Sequence, residues 1–170
     1  AYMIYQVGAL QAFCDSYGVT LQHMKLHGAF YNTACVTPAL ADAVLDGLQA
    51  VNPNIAAMVL SGSYIAKEAE RRGIHVIQEV FADRGYTDGG TLVPRTEPGA
   101  FIKDPQEALE RVLMMVTEGK VVTNTGNTID IVADSVCVHG DNPEAIAFTN
   151  YIREGLTKAG VTVANFQNRK

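Results

Sequence analysis

Glu79, Asp83 and Arg84 stand close together in Glu79-Val80-Phe81-Ala82-Asp83-Arg84-Gly85-Tyr86, where an apolar run breaks off into acid and base. Carboxylates beside a guanidinium can supply a general base, and a cation for a developing oxyanion or a substrate carboxylate. The same residues can also do no more than fix a loop through their own ion pairs. The stretch 86–99 that follows has no clear period and carries Arg95. Loops of that length inside a compact domain tend to be functional or disordered, although an arginine on an exposed loop is ordinary.

Two further stretches carry chemistry. In Lys25-Leu26-His27-Gly28-Ala29-Phe30-Tyr31-Asn32, a persisting strand would point Lys25 and His27 to one side, and Gly28 would let the backbone turn close to a ligand. The bland alternative is a lysine at a strand end and a histidine bonded to backbone. His23 and His27 share an H-x-x-x-H spacing that binds zinc only on a helix and normally comes with a neighbouring glutamate, which is missing, so no metal ligand is assigned. In Cys137-Val138-His139-Gly140-Asp141, alternation puts Cys137 and His139 on one face and leaves His139 at a strand tip. The helix start at Asn142-Pro143 offers free N–H groups to an anion, and Asp141 is either its cap or a catalytic carboxylate. Runs of the G-x-x-x-x-G-K-[ST], G-x-G-x-x-G and G-x-S-x-G types do not occur.

These residues need strands that end at one face. Helix signals alternate with short apolar runs, which predicts βα units, a mainly parallel sheet and one domain over residues 1–170. The clearest helix runs from Asp104 to Glu118, with Asp104 as cap, Pro105 in the first turn, Glu107 closing a capping box and Gly119 as the stop. Leu109, Val112, Leu113 and Val116 form its apolar stripe. Further helices are expected at Pro38 to Ala50, Ser63 to Arg72 and Pro143 to Ala159, the first capped by Thr37. Strands are expected at Leu21 to Lys25, Ile55 to Leu60, His75 to Phe81, Lys120 to Thr123, Ser135 to His139 and Val161 to Ala164. The start, Ala1 to Gly8, enters an apolar helical pattern without a cap, as though the numbering begins partway into a longer polypeptide.

Composition narrows the class. The 170 residues are 48% hydrophobic with a formal net charge of −5 and no block of like charge, which points away from nucleic acid and anionic membranes. The longest apolar runs are too short to span a bilayer and no leader is evident, so a cytoplasmic protein is expected. Cys14, Cys35 and Cys137 are odd in number and widely spaced, as reduced thiols would be.

The four ordered stretches Lys25 to Asn32, Glu79 to Tyr86, Leu92-Val93-Pro94-Arg95 and Val136 to Asp141 closely resemble the LamB/YcsF family. The resemblance runs across nearly the whole chain, which looks like the family's C-terminal two-thirds, because an Asp-Leu-Asn-type and a Gly-Phe-His-type motif do not occur. Leu26 stands where the common pattern has proline, leaving Lys25 and His27 in place. The resemblance implies an irregular TIM-like β/α barrel of the glycoside hydrolase and deacetylase type, incomplete here because early strands are missing. It implies one component of a 5-oxoprolinase that opens 5-oxo-L-proline to L-glutamate, with subunits B and C as partners and ATP consumed by the assembled complex at a site outside this chain. Lys25, Arg84 or Arg95 would stabilise an oxyanion or a phosphorylated intermediate, and His27, Glu79, Asp83 or His139 would move protons. Tyr31, Asn32, Arg95 and Asp141 would contact substrate. A metal-dependent deacetylase and a non-catalytic docking subunit are the competing expectations, and metal content and homo-oligomer formation stay open.

Overall fold

The computed structural model describes residues 1–140 and 145–165. The fold is mixed α/β, built on parallel strands, and divides into two compact units, Ala1–Glu79 and a second beginning at Val80.

In the first unit, β1 (His23–Lys25), β2 (Ala56–Leu60) and β3 (Val76–Phe81, running through the division) lie side by side in that order, all parallel. The register sets Lys25 beside Met58 and Leu60 beside Glu79, so Lys25 and Glu79 come from strands separated only by β2. All five residues of β2 are buried, as an apolar run without alternation requires of a central parallel strand. Helix α3 (Pro38–Val51) buries Ala41, Val44, Leu45 and Leu48, and α4 (Tyr64–Arg71) buries Ile65, Ala66 and Ala69. Each large aliphatic side chain among them stabilises the unit by roughly 1.5–3 kcal/mol on burial. Ser63 caps α4 by accepting from the Ala66 N–H, and Arg72 just past its end donates to Asp42 and Asp46 of α3. Thr37 occupies the position before α3 but makes no side-chain cap bond. Helix α1 (Tyr2–Tyr17) starts uncapped and buries only Met3, which seats where a Cβ on Gly47 would come within 2.8 Å.

One helix goes unpredicted. Residues Gly28–Val36 form α2, entered through Gly28 at φ +61°, where the sequence reading has a strand persisting to His27 and a turn at Gly28 but no helix. Its sequence is rich in aromatic, β-branched and small polar residues of poor helix propensity, and tertiary packing of Tyr31, Ala34 and Cys35 overrides that preference. The expected strand Leu21 to Lys25 keeps its end and starts two residues later, as β1.

In the second unit, β6 (Ser135–Cys137) lies beside the end of β3, with the Ala82 N–H donating to the Cys137 carbonyl at 3.1 Å. Helices α5 (Pro105–Thr117) and α6 (Ala145–Lys158) enclose a core of Ala82, Ala108, Val112, Ile152 and Leu156. All four residues of the expected stripe face this core, Val112 buried in it and Leu109, Leu113 and Val116 packed against it partly covered, while Ala108 and Met115 are also buried. Asp104 caps α5, accepting from the Glu107 N–H at 2.9 Å. The start expected for α6 at Asn142-Pro143 lies outside the described residues.

Two strand expectations change. Lys120 to Thr123 does not join the parallel sheet; Lys120–Val122 forms β4, which pairs antiparallel with the unpredicted β5 (Thr128–Asp130). Three residues bounded by Thr, Asn and Gly give too little period to distinguish a hairpin arm from a loop. Val161 to Ala164 forms no strand.

Candidate active site

The ends of β1 and β3 and the first turns of α2 build the first cluster. Glu79, the last residue of the first unit, is only 1% exposed. A buried carboxylate needs partners for both oxygens. Oε1 is paired with the Lys25 ammonium, and Oε2 accepts from the Tyr31 hydroxyl at 2.8 Å. The Lys25 ammonium also lies 6.0 Å from the centre of the Tyr31 ring. Burial, and then the charge of Lys25, lower the affinity of the neighbouring His23 imidazole for a proton below its ordinary value. Cys35 on α2 is buried, and burial pushes its thiol up to about 11.

The second cluster belongs to the second unit. His139 Nδ1 lies 2.6 Å from Asp83 Oδ2, and the Phe81 ring stacks on the imidazole with centroids 5.8 Å apart. Asp83 Oδ1 is buried and has no hydrogen-bond partner among the described residues. The residues come from the β3 end and from two positions past β6, strands that are neighbours in the sheet. A carboxylate on one imidazole nitrogen fixes the ring and leaves Nε2 for proton transfer.

The remaining candidates are placed differently. Arg84 is 3% exposed and makes no ion pair with Asp83; Nε donates to the Ala100 carbonyl at 2.9 Å and Nη2 to the Val93 carbonyl at 2.6 Å. Its guanidinium is a clamp on the 86–99 loop, and burial, with Arg95 nearby, holds its pKa below the usual arginine range. Both Arg84 and the exposed Arg95 lie against the Phe101 ring, at 5.2 and 5.6 Å from its centre. The clamp is tight because Gly85 passes Gly99: a Cβ at position 85 would stand 2.0 Å from the Gly99 carbonyl oxygen. The expected common side of Lys25 and His27 does not form, since β1 stops at Lys25 and His27 becomes the exposed residue before α2. His23 in β1 and His27 at the α2 start thus share no helix turn. Asn32 is exposed and donates to the Gly28 carbonyl one turn back. Asp141 lies outside the described residues.

Sequence reasoning missed Phe81 and Tyr86. Phe81 reads as a core strand residue, and nothing in its neighbours signals a stack on a histidine distant in sequence. Tyr86, fully buried, accepts the Phe81 N–H on its hydroxyl at 2.9 Å and so fixes the strand end. A cavity of about 460 Å³ lies on the Val136 and Val138 side of β6, and none of the candidate residues lines it. Among the described residues no group of three or more His, Cys, Asp or Glu side chains could hold a metal, and no single helix is long and apolar enough to cross a membrane.

The profile of the LamB/YcsF family matches residues 1–170. The chain is 58% identical over 163 residues to the A subunit of 5-oxoprolinase from Fusobacterium nucleatum subsp. nucleatum, covering 96% of this chain and 63% of that protein. It is 47% identical over 162 residues to the A subunit of 5-oxoprolinase from Pyrococcus abyssi, covering 95% and 64%. A crystal structure of a lactam utilization protein from Thermus thermophilus superposes with a TM-score of 0.86 at 40% identity, covering 96% of this chain and 65% of that one. The reading of the chain as the family's C-terminal two-thirds is replaced accordingly: the family match takes in every residue, while the chain spans somewhat under two thirds of the length of these relatives.

Proposed function

The chain belongs to the LamB/YcsF family, and from that premise we propose that it is part of a 5-oxoprolinase subunit that hydrolyses the lactam amide of 5-oxo-L-proline to L-glutamate. The relatives' names support the substrate: they are A subunits of 5-oxoprolinase, and a structural neighbour is a lactam utilization protein. In the same reading the whole protein is an irregular TIM-like β/α barrel, and partner subunits B and C handle ATP, since no P-loop run occurs in these residues.

The observation that carries the reading within this chain is the Asp83–His139 pair at 2.6 Å. Hydrolysis adds water across the lactam C–N bond. One water proton passes to His139 Nε2 as the oxygen bonds to the carbonyl carbon, and Asp83 stabilises the imidazolium. That proton then goes to the ring nitrogen as the C–N bond breaks, leaving the free amine and carboxylate of glutamate. An unstrained five-membered amide resists such attack, so a cation is required at the oxyanion, and hydrolysis of ATP to ADP and phosphate in the complex supplies the driving force.

The test is glutamate release by the full-length protein in complex with its partner subunits, supplied with ATP and 5-oxo-L-proline. Release that requires this protein and is abolished in His139→Ala supports the reading; release that proceeds without it removes the reading.

A further inference from the structure

Phe81 takes no part in the proton transfers proposed above, yet it touches the group that makes them. It is the last residue of β3, buried, and two residues before Asp83. Alternation along an extended chain puts residues i and i+2 on one face, so the phenyl ring and the carboxylate both reach the His139 imidazole, while Ala82 between them packs into the core with Ala108 and Val112. One strand end thus supplies two contacts to one ring. The backbone that carries them is itself tied down, since the Ala82 N–H donates to the Cys137 carbonyl, two residues before His139, and the Phe81 N–H donates to the buried Tyr86 hydroxyl. Every residue in this set belongs to the second unit.

Resting on the proposed lactam hydrolysis, we infer that Phe81 is a positioning residue: its ring, laid along the face of His139, sets the tilt at which Nε2 meets the attacking water. A single hydrogen bond from Nδ1 to Asp83 fixes the distance between the two groups and leaves the imidazole's tilt about that line open. A flat ring closes that freedom. The Phe81 and His139 planes lie 25° apart, and the phenyl can hold this place because its own backbone is anchored at Tyr86. An aliphatic side chain of similar volume would fill the space without presenting a plane. The contribution belongs to the chemical step, because a proton acceptor already at its working angle has less orientation to find once water and substrate are in place.

The experiment compares Phe81→Leu, Phe81→Tyr and the double variant Phe81→Leu/Asp83→Asn in the full-length protein in complex with its partner subunits, following glutamate release and thermal midpoint. Release by the unmodified complex that is lost in His139→Ala is the control for the functional reading: without it that reading falls, and this inference with it. With the control in place, Phe81→Leu is expected to lose about 10²-fold in kcat at unchanged KM, the scale of a reacting group misplaced by about 1 Å. Phe81→Tyr, which keeps the flat ring, should recover most of that loss. Because both contacts act through one imidazole, the double variant should lose much less than the product of the two single losses, whereas an independent structural defect would multiply. Carbon-13 relaxation at His139 Cε1 in the full-length protein, its signal identified by its absence from His139→Ala, gives a readout apart from activity: a ring as rigid as the backbone in the unmodified protein and a mobile one in Phe81→Leu. If Phe81→Leu does not fold, Phe81→Met takes its place, and the relaxation measurement on the unmodified protein needs neither. Unchanged kcat in the ringless variant, losses that multiply in the double variant, Phe81→Tyr as slow as Phe81→Leu, or a His139 ring already mobile in the unmodified protein overturns the inference while leaving the lactam reading intact.

Discussion

The Phe81 ring lies along the imidazole of His139, with centroids 5.8 Å and planes 25° apart, so the histidine bonded to Asp83 is also fixed through its face. Two contacts at different angles leave the ring one orientation. In the reaction proposed above, a base held this way loses little freedom on reaching its transition state.

On the proposed lactam hydrolysis, Asp83→Asn in the full-length protein with its partner subunits should lower glutamate release by about 10²–10⁴-fold, the usual cost of disabling a positioned proton-transfer group. Asn can still hydrogen-bond Nδ1 but cannot balance an imidazolium, so folding should survive. Activity and thermal midpoint measured on one preparation decide the matter: proportional losses in both would return Asp83 to a structural role.

Tyr86→Phe should destabilise the intact protein by about 1 kcal/mol, because it removes the buried hydrogen bond from the Phe81 N–H to the Tyr86 hydroxyl. Urea denaturation with an unchanged m-value would register it. A variant as stable as the parent would mean the strand end needs no such anchor.

Gly85→Ala and Gly89→Ala form a matched pair. The first puts a Cβ 2.0 Å from the Gly99 carbonyl oxygen, whereas at Gly89 the nearest atom is the Thr87 hydroxyl at 3.7 Å. A loss of about 3 kcal/mol or more is expected at position 85, and a change within about 0.5 kcal/mol at position 89. Equal effects would contradict the close passage of the two loop segments.

Cys35, with its thiol pushed up to about 11 by burial, should resist iodoacetamide at pH 8 while the protein is folded and react once it unfolds. The sign for stability follows. The folded pKa exceeds the unfolded one, so the contribution is whole below the ordinary thiol value of 9.0 and is lost as pH rises from there towards 11. Modification of Cys35 at the rate of a free thiol under native conditions would refute this.

The strand ends were legible in the sequence because apolar runs that stop at charged residues mark where a parallel sheet meets solvent. Lys25, Glu79 and Asp83 all stand out that way, and the helices with Pro at their first turn, α3 and α5, are expected within about a turn of their observed ends. Partnership was not legible. That Glu79 pairs with Lys25 depends on β2 standing between β1 and β3, and a pairing across 54 residues leaves no local trace. Arg84 misleads for the same reason: an arginine after an aspartate looks like a site cation until the carbonyls of Val93 and Ala100 are folded against it. Helix α2 stays hidden because its packing outweighs its composition.

The clamp on the 86–99 loop bears on any ligand that meets it. Arg84 fastens the carbonyls of Val93 and Ala100, Gly85 forms backbone bonds with the same two residues, and Thr87 closes on Thr91. Ordering a loop residue costs roughly 1–2 kcal/mol of conformational entropy at room temperature. Here that loss occurs during folding, so a small molecule arriving at this edge meets a wall already in shape. Its association can proceed as a rigid-body encounter, with discrimination resting on fit at first contact rather than on closure afterwards.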